Sequence, residues 1–250
     1  MTSPLNRRTL LLGVVPAAAL GLSACGSSSS QPSASASSSG SASASASATA
    51  SASASADPSA SATASATADD GYVGYRLNRE VPGAGTATLY TDYQCPYCAK
   101  AEPKFEEAAK KLDGIMNVTV RNMPLSSHKN AVPAAQAVQA AELQGKHLEM
   151  ANKLFQTQDS WKGITDKQTE LAGLFLSYAQ ELGLDTEKFK TDLVNPKTLE
   201  LIKGDFEYGH KIGVKGTPQF VVNDKPLENV DSSTSAEDMA KEFKKAAGLS

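Results

Sequence analysis

The chain has 250 residues, of which 40% are hydrophobic, and a formal net charge of −3. This balance, with no basic stripe along the sequence, argues against a surface built to bind nucleic acid. A long Ser/Ala tract inflates the alanine count, so whole-chain composition describes the folded part poorly. Residues 71–250 are enough for one domain with a proper hydrophobic core.

Residues 1–24 form a predicted export signal. A charged start with Arg7 and Arg8 precedes an apolar stretch and small residues. The apolar stretch is too short to predict a membrane-spanning helix. The arginine pair resembles a twin-arginine signal but also occurs in general signals, so both export routes stay open.

Cys25 ends a Leu-Ser-Ala-Cys run that resembles a bacterial lipobox, in which the cysteine is lipidated. The chain has three cysteines, an awkward number for an exported protein. If Cys25 carries lipid, the other two form a pair and no thiol is left over. The alternative is a cysteine that happens to follow a cleavage region.

The segment that follows Cys25, up to residue 70, is almost entirely Ser and Ala with scattered Thr, Pro and Gly. It has too few large apolar side chains to offset the entropy of ordering. We therefore predict that residues 25–70 are a lipidated cysteine and a disordered tether to the membrane.

Strand patterns open the predicted domain. Residues 72–77 indicate a short edge strand, and 86–91 a longer one that leads into a helix with a stop at Asp113 and Gly114. Residues 117–122 indicate the next strand. A strand, a crossover helix and a strand predict parallel pairing.

Residues 127–213 read as helical throughout, and we call this segment the helical insert. Asp185 and Asn195 are the predicted N-caps of two of its helices. Trp161 is predicted to be a packing anchor of the insert rather than a substrate platform. Residues 220–222 and 226–227 then indicate two short strands joined by a turn, and 236–247 a closing helix.

Cys95-Pro96-Tyr97-Cys98 lies where the strand at 86–91 gives way to a helix. At a helix start, free backbone N–H groups and the helix dipole favour a thiolate on the first cysteine. Cys98, one turn along, can close a small disulfide with it. Pro96 suits the first helical position, where no N–H is needed. The pattern predicts Cys95 as an exposed nucleophile and Cys98 as the buried resolving thiol.

The order of elements resembles the thioredoxin fold with the helical insertion of DsbA-like thiol–disulfide oxidoreductases. The likeness covers 86 to the C-terminus and rests on 92–98, on Pro103 and on the Gly-Thr-Pro-Gln-Phe run at 216–220. It implies an α/β fold with no cofactor other than the redox-active disulfide. It also implies that Pro218 is cis and faces the cysteines, and that Thr217 offers backbone to the substrate.

Two positions depart from familiar members of this family. The dipeptide between the cysteines is Pro-Tyr, as in glutaredoxins, rather than the Pro-His of strongly oxidising relatives. We therefore expect Pro96 and Tyr97 to modulate the site. Leu89 occupies a position where many members have a buried acid. Asp92 is the nearest carboxylate, and we do not expect it to be equivalent.

Alternative interpretations remain for these motifs. A Cys-x-x-Cys pair can be half of a zinc site, but the chain has no second pair to complete tetrahedral ligation, so we expect no metal. His128, His147 and His210 are expected at the surface or at helix ends rather than as catalytic bases. Without the resemblance, the Thr217–Pro218 bond would be expected to be trans.

Three classes of function follow from these features. The first is an enzyme, anchored to the outer face of the cell membrane, that forms or isomerises disulfides in exported proteins and is served by a membrane redox partner. The second is a thiol reductase of the same fold. The third is a lipid-anchored binding module without catalysis, which the retained cysteine pair disfavours.

Overall fold

The computed structural model describes residues 74–249. The predicted signal peptide (1–24), Cys25, the tether (25–70) and the first part of the predicted edge strand lie outside these residues. Among residues 74–249, none of the helices is long and apolar enough to cross a membrane.

A five-stranded sheet forms the centre of the described part. Its strands in chain order are β1 (Tyr75–Arg76), β2 (Thr86–Thr91), β3 (Asn117–Asn122), β4 (Gln219–Val222) and β5 (Lys225–Pro226). Their order across the sheet is β1-β3-β2-β4-β5. The predicted parallel pairing of β2 with β3 is confirmed, and the other three pairs are antiparallel. The most central strand is therefore β2, the one that leads to the cysteine pair.

Helix α1 (Pro96–Lys111) makes the crossover from β2 to β3 and remains one helix through Pro103. The helical insert contains α2 (Ala131–Glu142), α3 (His147–Gln156), α4 (Gln158–Trp161), α5 (Gln168–Glu181), α6 (Thr186–Leu193) and α7 (Pro196–Lys211), and α8 (Ala236–Ala246) closes the domain.

Both predicted N-caps in the insert are confirmed. The Asp185 side chain accepts hydrogen bonds from the backbone N–H groups of Glu187 and Lys188 at the start of α6. The Asn195 side chain accepts one from Lys197 at the start of α7. Each cap satisfies helix-start donors that would otherwise lack a partner, which is why these polar residues mark the helix boundaries.

One face of the sheet is covered by α1 and α8. Phe105 of α1, Phe220 of β4 and Phe243 of α8 are fully buried there, with ring centroids 5.8–5.9 Å apart. In the insert, Trp161 is fully buried, stands edge-on to Phe175 and donates its indole N–H to the Leu154 carbonyl. The prediction that Trp161 anchors the insert is confirmed.

The hairpin after β4 differs in detail from the prediction. The turn is confined to Asn223 and Asp224, whose φ angles are 49° and 62°, and β5 begins at Lys225 rather than at Pro226. Two left-handed residues in succession make a tight two-residue hairpin turn, a conformation that Asn and Asp tolerate better than other side chains. Lys225 is thereby free to pair with Val222.

Candidate active site

The cysteine pair sits where β2 ends and α1 begins. Cys95 is the N-cap residue of α1, with an extended backbone (φ −76°, ψ 123°), and Pro96 takes the first helical position. A backbone hydrogen bond from Cys95 to the Asp92 carbonyl closes the turn that leads into the helix. Both cysteines are free thiols in the structure.

The prediction that Cys95 is exposed is wrong, although Cys95 is more exposed than Cys98. Cys95 is 4% exposed and Cys98 is 0% exposed, so both are buried and Cys95 is only the more accessible of the two. The cause is a distant segment of the chain that covers the sulfur. The Cys95 Sγ lies 3.6 Å from the Thr217 carbonyl oxygen, to which it donates a hydrogen bond when protonated.

The loop between α7 and β4 therefore completes the site. Its Thr217–Pro218 peptide bond is cis, as the family resemblance implies. Thr217 and Pro218 are half-buried, whereas Pro96 is exposed. Tyr97 is also exposed, and the Lys100 ammonium lies 5.6 Å from its ring centroid. All of the predicted site residues except Cys25, which lies outside the described residues, are thus brought to one end of β2.

The pKa values of the two thiols are shifted in opposite directions. The pKa of Cys95 is lowered to about 6, first because the Cys98 thiol donates a hydrogen bond to its sulfur. Backbone N–H groups of Tyr97 and Cys98 at the helix start add to this effect, and burial opposes it. Burial raises the pKa of Cys98 well above its usual value. Near neutral pH the reduced pair therefore holds a thiolate on Cys95 and a thiol on Cys98.

Asp92 has a structural role that the sequence did not reveal. Its buried carboxylate accepts hydrogen bonds from the backbone N–H groups of Gln94 and Leu125 and contacts the His128 Nδ1, each at 2.8 Å. The Asp92 N–H in turn lies 3.5 Å from the Cys98 sulfur. His128 is therefore half-buried against the site rather than on the free surface. This pair fixes the loop that precedes Cys95 against the segment leading to α2.

Glu102 is a buried acid that sequence reasoning missed. It lies one helical turn after Cys98 on the inner face of α1 and is 1% exposed. Burial, and secondarily the charge of Glu106, raises the pKa of Glu102 to about 8. Its Oε2 has no hydrogen-bond partner among residues 74–249. The available signal was its spacing, because Cys98, Glu102 and Phe105 share one helix face.

No group of three or more His, Cys, Asp or Glu side chains within residues 74–249 is arranged to hold a metal ion. His147, at the start of α3, is buried against Glu142, with its Nδ1 2.6 Å from the carboxylate. The cysteine pair can exchange a disulfide, because the more accessible of its two adjacent sulfurs is a thiolate and the other is a fully buried thiol.

Comparison with known proteins identifies the family of the chain. The sequence model of the family described as Thioredoxin matches residues 84–244, which is more than half of the chain. Curated relatives include the Na(+)/H(+) antiporter NhaA 3 of Salinispora tropica, 34% identical over 146 residues, which are 58% of this chain and 21% of that protein. NhaA 1 of Mycolicibacterium vanbaalenii is 32% identical over 137 residues, 54% and 21% of the two proteins. The chain thus covers about a fifth of the length of these relatives.

Solved structures with the same fold include a thioredoxin-like oxidoreductase from Silicibacter pomeroyi (TM-score 0.52, 26% identity, 66% of this chain and 88% of that one). DsbA from Xylella fastidiosa has a TM-score of 0.53 at 17% identity, with 70% and 92% of the two chains covered. The catalytic domain of Proteus mirabilis ScsC has a TM-score of 0.55 at 19% identity, with 72% and 93% covered. The chain therefore belongs to the thioredoxin family, and its fold is that of the DsbA-like thiol–disulfide oxidoreductases.

Proposed function

We propose that the chain is an extracytoplasmic enzyme that forms or isomerises disulfides in exported proteins and is held at the outer face of the cell membrane by lipidated Cys25. One observation carries the catalytic part of the proposal: Cys95 is the N-cap residue of α1 and lies beside the fully buried Cys98, a placement that favours a thiolate on Cys95. The export signal predicted from the sequence carries the location.

Formation of a disulfide would start from the oxidised pair. A substrate thiolate attacks the Cys95 sulfur, the Cys95–Cys98 bond breaks, and Cys98 leaves with the electron pair and takes up a proton. A second substrate thiolate attacks the substrate sulfur of this mixed disulfide and expels Cys95 as a thiolate. The substrate has lost two electrons and two protons. The pair has gained both electrons and one proton, and the second proton goes to solvent.

The residues of the site have separate tasks in this sequence. Stabilisation of the Cys95 thiolate makes it a good leaving group in the second step. The half-buried Thr217–Pro218 segment offers backbone against which an extended substrate segment can lie, and the exposed Tyr97 side chain lies between the two cysteines in sequence. Exchange with a disulfide of a membrane redox partner would restore the oxidised pair. For isomerisation, the Cys95 thiolate attacks a wrong substrate disulfide without net electron transfer.

The redox potential of the Cys95–Cys98 couple tests the direction of the reaction. We expect a value near −200 mV, more oxidising than about −270 mV for thioredoxin and milder than about −120 mV for DsbA. The low pKa of Cys95 favours the reduced form, whereas Tyr97 places no positive charge beside the thiolate. Equilibration of the purified protein with glutathione buffers measures the potential. A value at or below that of thioredoxin would contradict an oxidase and support the reductase.

Membrane attachment is tested separately at Cys25. Replacing Cys25 with alanine should move the protein from the membrane fraction to the medium, because one acyl chain binds marginally and a diacylated cysteine supplies a two-chain anchor. Cell fractionation with immunoblotting measures the distribution. Ser23→Ala, a change within the same run that keeps the cysteine, is the control. Unchanged membrane association of the Cys25 variant would count against lipidation.

A further inference from the structure

Gln158 of the helical insert contacts the backbone of the active-site loop. It begins α4 and is 8% exposed. Its Nε2 donates hydrogen bonds to two carbonyl oxygens, that of Tyr93 at 2.8 Å and that of Cys95 at 3.1 Å. Both partners can only accept, so the amide can make this pair of contacts only with its NH₂ group facing the loop.

The Cys95 carbonyl oxygen accepts two hydrogen bonds, one from Gln158 and one from within α1. The same Cys95 carbonyl accepts the backbone N–H of Ala99, the first hydrogen bond of α1. A carbonyl oxygen has two lone pairs, and here a helix donor takes one and the insert takes the other. The end of the loop and the start of the helix are thus fixed from a separate part of the chain.

Two other side-chain amides, those of Gln94 and Asn130, also link the active-site loop to the insert through hydrogen bonds. The Gln94 side chain donates to the Lys162 carbonyl at 3.1 Å and accepts the Asn130 N–H at 2.8 Å. The Asn130 side chain donates to the carbonyls of Trp161 and Ile164, each at 2.9 Å. The short stretch 158–164 of the insert is therefore bound to the loop and to the segment entering α2. Gln158 is the member of this set that reaches the cysteine itself.

These contacts bear on the charge of the Cys95 sulfur. Carbonyl oxygens near a buried thiolate repel it, and hydrogen-bond donors on those oxygens offset their negative charge. The same bonds hold Cys95 in its extended N-cap conformation, from which the N–H groups of Tyr97 and Cys98 reach the sulfur. Removing the Gln158 donors would weaken both effects.

We propose that Gln158 is a positioning residue for disulfide exchange, through which the helical insert holds the loop before Cys95 in the form that stabilises the Cys95 thiolate. Its relevance to exchange rests on the proposed function. Its effect on the thiolate is a property of the folded protein and is measured without any substrate.

The test compares two variants of Gln158 in the full chain. Gln158→Met keeps most of the side-chain volume and Gln158→Ala does not, but both lose the two donors. We expect the pKa of Cys95 to rise by about one unit in both, because the Tyr93 and Cys95 carbonyl oxygens lose the donors that offset their negative charge. Alkylation by iodoacetamide near pH 6 should slow about fivefold, since it follows the thiolate fraction. The pH dependence of alkylation and thiolate absorbance give the pKa.

Gln139→Met is the matched control. Gln139 is also a buried amide of the insert, but its side chain accepts a hydrogen bond from the Tyr75 hydroxyl instead of donating to the active-site loop. Its replacement should lower stability and leave the pKa of Cys95 as in the wild type. If Gln158→Met keeps the wild-type pKa and only Gln158→Ala changes it, Gln158 acts by packing and the proposal is wrong.

A measurement on the wild-type protein covers the case in which the Gln158 variants do not fold. In NMR spectra, the side-chain NH₂ signals of Gln158 should shift with the ionisation of Cys95, while those of Gln139 should not. If the chemical shifts of the Gln158 side chain do not change as Cys95 ionises, the proposal is wrong. Wild-type protein with an acidic Cys95 and no oxidation of a reduced substrate would instead contradict the proposed function and leave the role of Gln158 in thiolate stability intact.

Discussion

A Cys98→Ala variant should lose turnover completely and accumulate as mixed disulfides between Cys95 and thiol-bearing proteins. Cys98 supplies the sulfur that resolves such an intermediate, and it is fully buried directly beside Cys95. Without it, the Cys95–substrate bond persists until an external thiol attacks it. Non-reducing electrophoresis of the variant, expressed with its export signal, should show adducts that disappear on reduction.

Cys95→Ala is the control for this experiment and should form few adducts, because the remaining thiol is buried and its pKa is raised. Thiol alkylation of the reduced wild type gives the complementary check. Cys95 should react much faster than Cys98, since the thiolate is the reacting species. Faster alkylation of Cys98 would reverse the assignment of nucleophile and resolving cysteine.

Replacing Glu102 with glutamine should stabilise the protein at pH 8 and change its stability little at pH 5. In the folded state the pKa of Glu102 is raised from 4.5 to about 8 by burial. Between these values the folded state binds more protons than the unfolded state, so the wild type loses stability as the pH rises. Glutamine resembles the neutral acid and does not ionise. We expect a gain in unfolding free energy of the order of 2–4 kcal/mol at pH 8.

Denaturant unfolding of both proteins at several pH values measures this difference. Glu107→Gln, an exposed position on the same helix, should leave the pH dependence of the wild type unchanged. The unfolding free energy of the Glu102 variant should still fall somewhat as the pH rises, because burial also raises the pKa of Asp205 to about 7. If the Glu102 variant is no more stable than the wild type at pH 8, ionisation of Glu102 does not destabilise the folded protein and the prediction is wrong.

Much of the sheet and helix layout could be predicted because it depends on local patterns. The strands at 86–91 and 117–122 match their predicted limits, since both are short runs of strand-forming residues bounded by clear signals. The N-caps at Asp185 and Asn195 are equally local. The antiparallel pairing of β2 with β4 depends on contacts between distant segments and was not predicted. The place of the insert was indicated only by the family resemblance.

The site was predictable in its chemistry and less so in its surroundings. The cysteine pair at a helix start indicates an acidic first thiol by itself. The burial of Cys95 was not predicted, because the covering group is the Thr217 carbonyl, 122 positions along the chain. Glu102 and Gln158 were missed for a related reason. A buried polar side chain in a helix looks like a surface residue until the segment that packs on it is known.

The placement of the helical insert has an evolutionary consequence. Its chain leaves the sheet at the end of β3 and returns at the start of β4, and both strands pair with β2. Thr91 is opposite Asn122, and Tyr90 is opposite Gln219, so exit and return lie two strand spacings, about 10 Å, apart. Helices between these points can lengthen, shorten or be exchanged without shifting the register of the sheet. The insert can thus diverge among descendants of this chain while the cysteine pair keeps its place at the end of β2.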